Sequence, residues 1–141
     1  MAHSVLFACN MNSVRSPMAA ALMRRLAGDR MIVDSAGVYK GDLDPFVEIV
    51  MRELDINMRD HEPKAMTTAD LSGFDLVIAL TEEAEDAALQ YVPREKVELW
   101  VTENPSDERG DQEAVVGAYR RVRDAIAERL SARFPEFHRN A

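Results

Sequence analysis

Two continuous apolar runs frame the first half of the chain. Ser4-Val5-Leu6-Phe7-Ala8 and Phe74 to Leu80 both have the form of a strand buried on both faces. Pro17-Met18-Ala19-Ala20-Ala21-Leu22-Met23-Arg24-Arg25-Leu26 predicts a helix, and Met31-Ile32-Val33-Asp34 a short strand after it. Gly37 and Gly41 mark a loop. Asp44-Pro45 has the form of an N-cap and first helical position, opening a helix with Phe46, Val50 and Leu54 on one face. The stretch from Asp60 to Thr68 is polar, contains Pro63 and reads as a loop. Glu82 to Tyr91 predicts a helix with acidic residues in its first turn, and Lys96-Val97-Glu98-Leu99-Trp100 a fourth strand. A loop from Val101 to Gly110 then leads to the longest helix, where Val115, Tyr119, Val122, Ile126 and Leu130 recur at helical spacing.

Strands alternating with helices predict an α/β fold of three layers, a four-stranded parallel sheet with helices on both faces. At 141 residues, with no internal repeat or low-complexity segment, the chain is expected to form a single domain spanning 1–141. Ligands of such sheets bind beyond the C-terminal ends of the strands. The segment around Cys9 and the loops after Asp34, Leu80 and Trp100 all fall at that edge, so the pocket is expected there.

The richest chemistry lies in Cys9-Asn10-Met11-Asn12-Ser13-Val14-Arg15-Ser16-Pro17, between the first strand and the first helix. A loop in that place can aim its backbone N–H groups at an anion. The residues Asn10, Met11, Asn12, Ser13 and Val14 can wrap their amides around one tetrahedral oxyanion, with the Cys9 sulfur beneath its central atom. Arg15 can offer a planar fork to two of the oxygens. Ser16 suits an N-cap and Pro17 the first helical position, and Ser16 can also hydrogen-bond the sulfur. A helix N-terminus favours the thiolate, which is the nucleophile. Asn10 and Asn12 suit left-handed backbone, and their amides can brace the loop. Taken singly, each residue has a structural explanation, a core cysteine or a helix cap. Together, in this context, they point to a cradle that grips phosphate or a similar oxyanion and attacks it.

Composition narrows the rest. A 47% hydrophobic content supports a folded core, and 25 acidic against 17 basic residues, a net charge of −8, argue against nonspecific nucleic-acid binding. No apolar run reaches membrane-spanning length, and the N-terminus lacks the features of a signal peptide. One cysteine excludes an intramolecular disulfide and fits a reducing cytoplasm. His3, His61 and His138 are scattered, so no metal site is expected and each histidine is assigned to the surface.

Val5-Leu6-Phe7-Ala8-Cys9 through Arg15-Ser16-Pro17-Met18-Ala19 resembles the opening of low-molecular-weight protein tyrosine phosphatases and their relatives, the thioredoxin-coupled arsenate reductases. The resemblance continues in Asp34-Ser35-Ala36-Gly37, in Phe74 to Leu80, and in Tyr119-Arg120 and Arg123-Asp124 of the last helix. It implies strand order 2-1-3-4, also the order expected of four such strands. It further implies hydrolysis of a phosphorylated protein or small aryl phosphate through a cysteinyl-phosphate, with no metal or organic cofactor.

Several positions depart from the family pattern. Where its phosphatases carry the Asp of an Asp-Pro pair that protonates the leaving alcohol, this chain has Asn104-Pro105. An amide cannot deliver a proton, and general acid help is worth about 10²–10⁴-fold. Glu103 and Asp107 are candidate substitutes, more often solvated loop charges. Asp44-Pro45 repeats the dipeptide, but its place before an amphipathic helix assigns it to capping. A second loop cysteine common in the family is Val14, the usual glycine is Met11, and the aromatic after Asp-Pro is Ser106. Tyr39 is the candidate for a replacement substrate wall. The similar arsenate reductases relay oxidation through further cysteines, whereas Thr81-Glu82-Glu83-Ala84 follows the third strand here and no cysteine lies downstream. Three readings stand: a phosphomonoester hydrolase, an arsenate reductase using an external thiol, and a non-catalytic binder of oxyanions or phosphoproteins.

Overall fold

β1 (Ser4–Cys9), β2 (Ile32–Gly37), β3 (Leu76–Ala79) and β4 (Val97–Leu99) form one parallel sheet in the order β2-β1-β3-β4, as expected. The structure is a computed structural model that describes residues 3–67 and 69–140. Successive side chains of a strand point to opposite faces. Val5, Phe7 and Cys9 of β1 therefore enter one apolar layer, and Leu6 and Ala8 the other. α1 (Arg15–Ala27), α2 (Pro45–Arg52) and α4 (Gln112–Arg133) cover the first face, and α3 (Glu82–Ala88) with Met66 and Leu71 covers the second. Phe7, Leu6, Met18, Ile78 and Leu130 are buried, each such side chain contributing about 1.5–3 kcal/mol. Among the described residues, no helix is long and apolar enough to cross a membrane.

The element boundaries depart from the sequence reading in informative places. β2 continues past Asp34 to Gly37, which the pattern assigned to a loop. Gly37 pairs with Cys9 on one side. On the other its N–H donates to the Lys64 carbonyl at 2.9 Å and its own carbonyl accepts from Met66 N–H at 2.8 Å. A Cβ on Gly37 would lie 2.3 Å from the Tyr39 carbonyl oxygen and 2.6 Å from Asn12 N, so only glycine lets these segments meet. α3 ends at Ala88 rather than Tyr91, and Leu54 lies beyond the end of α2, whose buried face is Val47, Val50 and Met51. A short 3₁₀ turn, Pro105–Asp107, interrupts the loop before α4.

Capping explains three of the four helix starts. The Asp44 carboxylate accepts from Phe46 N–H at 2.8 Å, Thr81 Oγ1 from Ala84 N–H at 3.0 Å, and Asp111 from Ala114 N–H at 2.9 Å. The assignment of Asp44 to capping is thus met. α1 differs: it begins at Arg15, and its N-cap position is Val14, with no side-chain cap. Ser16 is not the N-cap that its sequence position suggested. It lies inside the first turn, buried, with its hydroxyl committed to the sulfur of Cys9.

Candidate active site

Cys9 closes β1 at the C-terminal edge of the sheet, and the chain loops through residues 10–14 before α1 begins. The orientation of that loop follows from where its carbonyls go. Cys9 C=O accepts from Val38 N–H at 2.9 Å, Asn10 C=O from Tyr39 N–H at 2.8 Å, and Met11 C=O from Gly41 N–H at 2.8 Å. Asn12 C=O faces the His61 Nε2 at 3.1 Å, and Ser13 C=O accepts from Asp44 N–H at 3.0 Å. Every carbonyl from Cys9 to Ser13 is bonded outward, to the segment 38–44 or to His61. The N–H groups of Met11, Asn12, Ser13 and Val14 have no acceptor among the described residues. Such a loop is a nest of free donors ahead of a helix N-terminus, suited to an oxyanion.

Asn12 holds the loop from inside. It is fully buried and adopts φ 55°, the left-handed conformation expected of it. Its amide group donates to Ser16 Oγ at 2.9 Å and to Ser35 Oγ at 3.0 Å, while its Oδ1 accepts from Lys64 N–H at 2.9 Å. Ser16 Oγ lies 2.9 Å from Cys9 Sγ and, while accepting from Asn12, can donate its single hydroxyl proton to the sulfur. Ser16 N–H also points at that sulfur at 3.4 Å. Burial, opposed by the Asn12 carbonyl, lowers the affinity of His61 for a second proton, so a neutral ring donates its Nε2–H to Asn12.

Asn10 is braced differently from the expectation. It is not in the left-handed region. Its amide instead spans to the β3–α3 turn, accepting from Thr81 Oγ1 at 2.7 Å and donating to Glu83 at 3.0 Å. Arg15, at the far end of the loop, donates one Nη1–H to the Thr102 carbonyl at 2.9 Å, linking the loop after β4 to the site. Its other guanidinium N–H groups have no acceptor among the described residues. Arg15→Lys keeps the charge but loses the two-pronged contact, so orthovanadate should bind about 10–100-fold more weakly, the scale of one charge-assisted hydrogen bond. Titration calorimetry reads this directly, and equal affinity would remove Arg15 from the cradle.

Tyr39, on the segment that bonds the loop carbonyls, is 57% exposed, and Met11, within the loop, is 44% exposed. Val14 is buried in the core. Asn104 Oδ1 caps the Pro105–Asp107 turn, accepting from Ser106 N–H at 3.1 Å and Ser106 Oγ at 2.7 Å. Glu103 is paired with Arg121 at 3.1 Å, and that guanidinium holds its carboxyl below the usual range. Asp107 is exposed. Both substitute acids are therefore placed as solvated or paired loop charges.

The structure brings Cys9, Asn12 and Ser16 together, bonds Arg15 to the Thr102 carbonyl, and adds partners not expected from the sequence. Ser35 and His61 brace Asn12, and Asp44 and Lys64 hold the loop by their backbone N–H groups. His61 is half-buried against the loop rather than on the surface, while His3 is exposed as expected and the surroundings of His138 lie outside the described residues. The signal for Ser35 was present in Asp34-Ser35-Ala36-Gly37 at a strand's C-terminal end. None existed for His61, which lies 49 residues from Asn12. Among the described residues no cluster of histidine, cysteine and carboxylate side chains could hold a metal ion.

Fold and site together define a class: a parallel α/β domain with a cysteine-centred loop, rich in free N–H groups, at the C-terminal edge of its sheet. Within that class, the chain belongs to the low molecular weight phosphotyrosine protein phosphatase family, whose sequence profile matches residues 4–140. It is 34% identical to an arsenate reductase of Bacillus licheniformis over 133 residues, 94% of this chain and 95% of that one. Its fold matches a tyrosine phosphatase of Erwinia amylovora with a TM-score of 0.78 at 22% identity, over 96% of this chain and 93% of the other. It also matches the YwlE arginine phosphatase of Bacillus subtilis, as a Cys-to-Ser mutant with a phosphorylated active-site serine. That match has a TM-score of 0.71 and 27% identity, covering 90% of each chain.

Proposed function

We propose that this protein is a phosphomonoester hydrolase of the tyrosine-phosphatase type, working through a cysteinyl-phosphate on Cys9. The observation that supports it best is the loop itself, with its carbonyls bonded outward, N–H groups free and the Ser16 N–H and hydroxyl both on the sulfur. In the first step the Cys9 thiolate attacks phosphorus in line with the ester oxygen. The S–P bond forms as the P–O bond breaks, and the phenolate leaves. The free N–H groups and Arg15 stabilise the charge on the equatorial oxygens. When the sulfur later leaves, Ser16 Oγ–H and N–H hold the returning thiolate. Water completes the second step, attacking phosphorus and releasing inorganic phosphate. The substrates are phosphorylated proteins or small aryl phosphates, with Tyr39 as one wall.

The second reading, arsenate reduction, is supported by the name of the Bacillus licheniformis relative. Reducing arsenate to arsenite takes two electrons, the number released when two thiols form a disulfide. This chain supplies one thiol, Cys9, so the second must come from an external donor. Hydrolysis of aryl phosphates and of phosphoarginine, run beside arsenate reduction with several thiol donors, tests both readings. Arsenate should act as a competitive inhibitor of aryl phosphate hydrolysis. Sustained arsenite production with a physiological thiol, faster than hydrolysis of any phosphorylated substrate, would reverse the ranking.

A further inference from the structure

Ser13 C=O is bonded to the N-terminus of α2, and α2 is clamped by α4 at both ends. At the near end Tyr119, 1% exposed, donates its phenol O–H to Asp44 Oδ2 at 2.7 Å, while Asp44 Oδ1 caps α2 and Asp44 N–H bonds Ser13 C=O at 3.0 Å. The Tyr119 ring packs on Phe46, ring centres 5.3 Å apart. At the far end Glu53 takes two bonds from Arg120, at 3.0 and 2.7 Å, and one from Arg123 at 2.7 Å. Arg123 also donates to the Val50 carbonyl at 2.8 Å.

We propose that Tyr119 is a positioning residue for the oxyanion cradle, acting through Asp44 on Ser13. This deepens the phosphatase reading and rests on it. A peptide plane is rigid, so the bond that fixes the Ser13 carbonyl outward also fixes the Val14 N–H of the same plane. Asp44 can hold that plane only where its own main chain is fixed, and its carboxylate has two anchors, the cap and Tyr119. The cap moves with α2, whereas Tyr119 belongs to α4. The phenol bond thus refers Asp44, and the Ser13 plane it holds, to α4 as well as to α2. Burial, with the Asp44 carboxylate beside it, pushes the Tyr119 phenol well above its ordinary range, so it is a donor throughout the neutral range. The Glu53 clamp is ionic, with Arg120 and Arg123 holding that carboxyl down to about 2, and it lies at the helix end away from the loop.

The test is a double-mutant cycle read in orthovanadate affinity by titration calorimetry, with melting temperature measured in parallel. Tyr119→Phe keeps the ring and removes only the O–H. Asp44→Ser keeps an N-cap residue and the main-chain N–H but leaves the phenol without its carboxylate. Each should weaken vanadate binding about five- to tenfold, the net scale of one hydrogen bond. The double variant should be no worse than either single, because both remove the same link. Glu53→Gln, which loosens the far clamp, should lower the melting temperature while keeping vanadate affinity within about twofold of wild type, the affinity of an intact cradle. Wild-type affinity in Tyr119→Phe, additive losses in the double variant, or an equal loss in Glu53→Gln would each overturn the assignment. A wild-type protein that binds neither vanadate nor phosphate would instead bring down the phosphatase reading beneath it.

Discussion

Cys9→Ser should abolish turnover while leaving the fold and the phosphate site intact. The sulfur is nearly buried, and one atom of similar shape replaces it. Ser16 Oγ and Ser16 N–H, now 2.9 and 3.4 Å from the sulfur, can still meet a hydroxyl there. A serine hydroxyl differs in being almost wholly protonated, and the groups bonded at this position are donors, not bases. Among the described residues no imidazole or carboxylate contacts Cys9 Sγ, so nothing in place can take the serine proton. The loss should be about 10⁴–10⁶-fold, the scale seen when a nucleophile is removed. Acid quenching during turnover of a labelled aryl phosphate should trap a phosphoryl group on wild type and none on a wild-type timescale in the mutant. Inorganic phosphate should bind both, and the melting temperatures should agree within a few degrees. Turnover near wild type in Cys9→Ser would overturn the covalent route, as would hydrolysis by wild type with no trapped intermediate under any quench.

The sheet and the loop were legible for a simple reason: their signals are local. Val5, Leu6 and Phe7 form a run that only a doubly covered strand can bury, and Cys9 through Arg15 are contiguous. The bracing was not legible, because it crosses long stretches of chain. Asn12 reaches Ser35, Lys64 and His61, and Ser13 is held by Asp44, which answers to Tyr119 on α4. Local rules also misassign residues whose usual role is overridden by a tertiary partner. Ser16 has the chemistry of an N-cap, yet its hydroxyl goes to Cys9, and the N-terminus of α1 is left open toward the loop. Asn10 has the chemistry of a left-handed residue, yet Thr81 and Glu83 give its amide a better use in ordinary backbone. Gly37 reads as a loop glycine but serves in β2, where the missing Cβ lets the strand meet Tyr39 and Asn12.

Asn104→Asp should raise activity, and only where the leaving group needs a proton. The substitution fits the local structure. Asn104 uses only Oδ1, accepting from Ser106 N–H and Ser106 Oγ, and an aspartate oxygen accepts both. The loop is already tied to the site two residues earlier, where the Thr102 carbonyl takes a hydrogen bond from Arg15 at 2.9 Å. Glu103 cannot serve in its place while Arg121 holds its carboxyl ionised and turned toward α4. Wild type should therefore handle activated phenols far better than poor leaving groups, and log kcat/KM should fall steeply as leaving-group pKa rises. An Asp at this position supplies the proton, so Asn104→Asp should speed poor substrates by about 10²–10⁴-fold and flatten that slope. Activated phenols, which depart as stable phenolates, should change little. The measurement is a leaving-group series of aryl phosphates on both proteins. A flat dependence in wild type would mean that another acid already works at the site. A steep dependence with no gain from Asn104→Asp would place the Pro105–Asp107 turn away from the chemistry, and would favour a protein that binds oxyanions or phosphoproteins without turning them over.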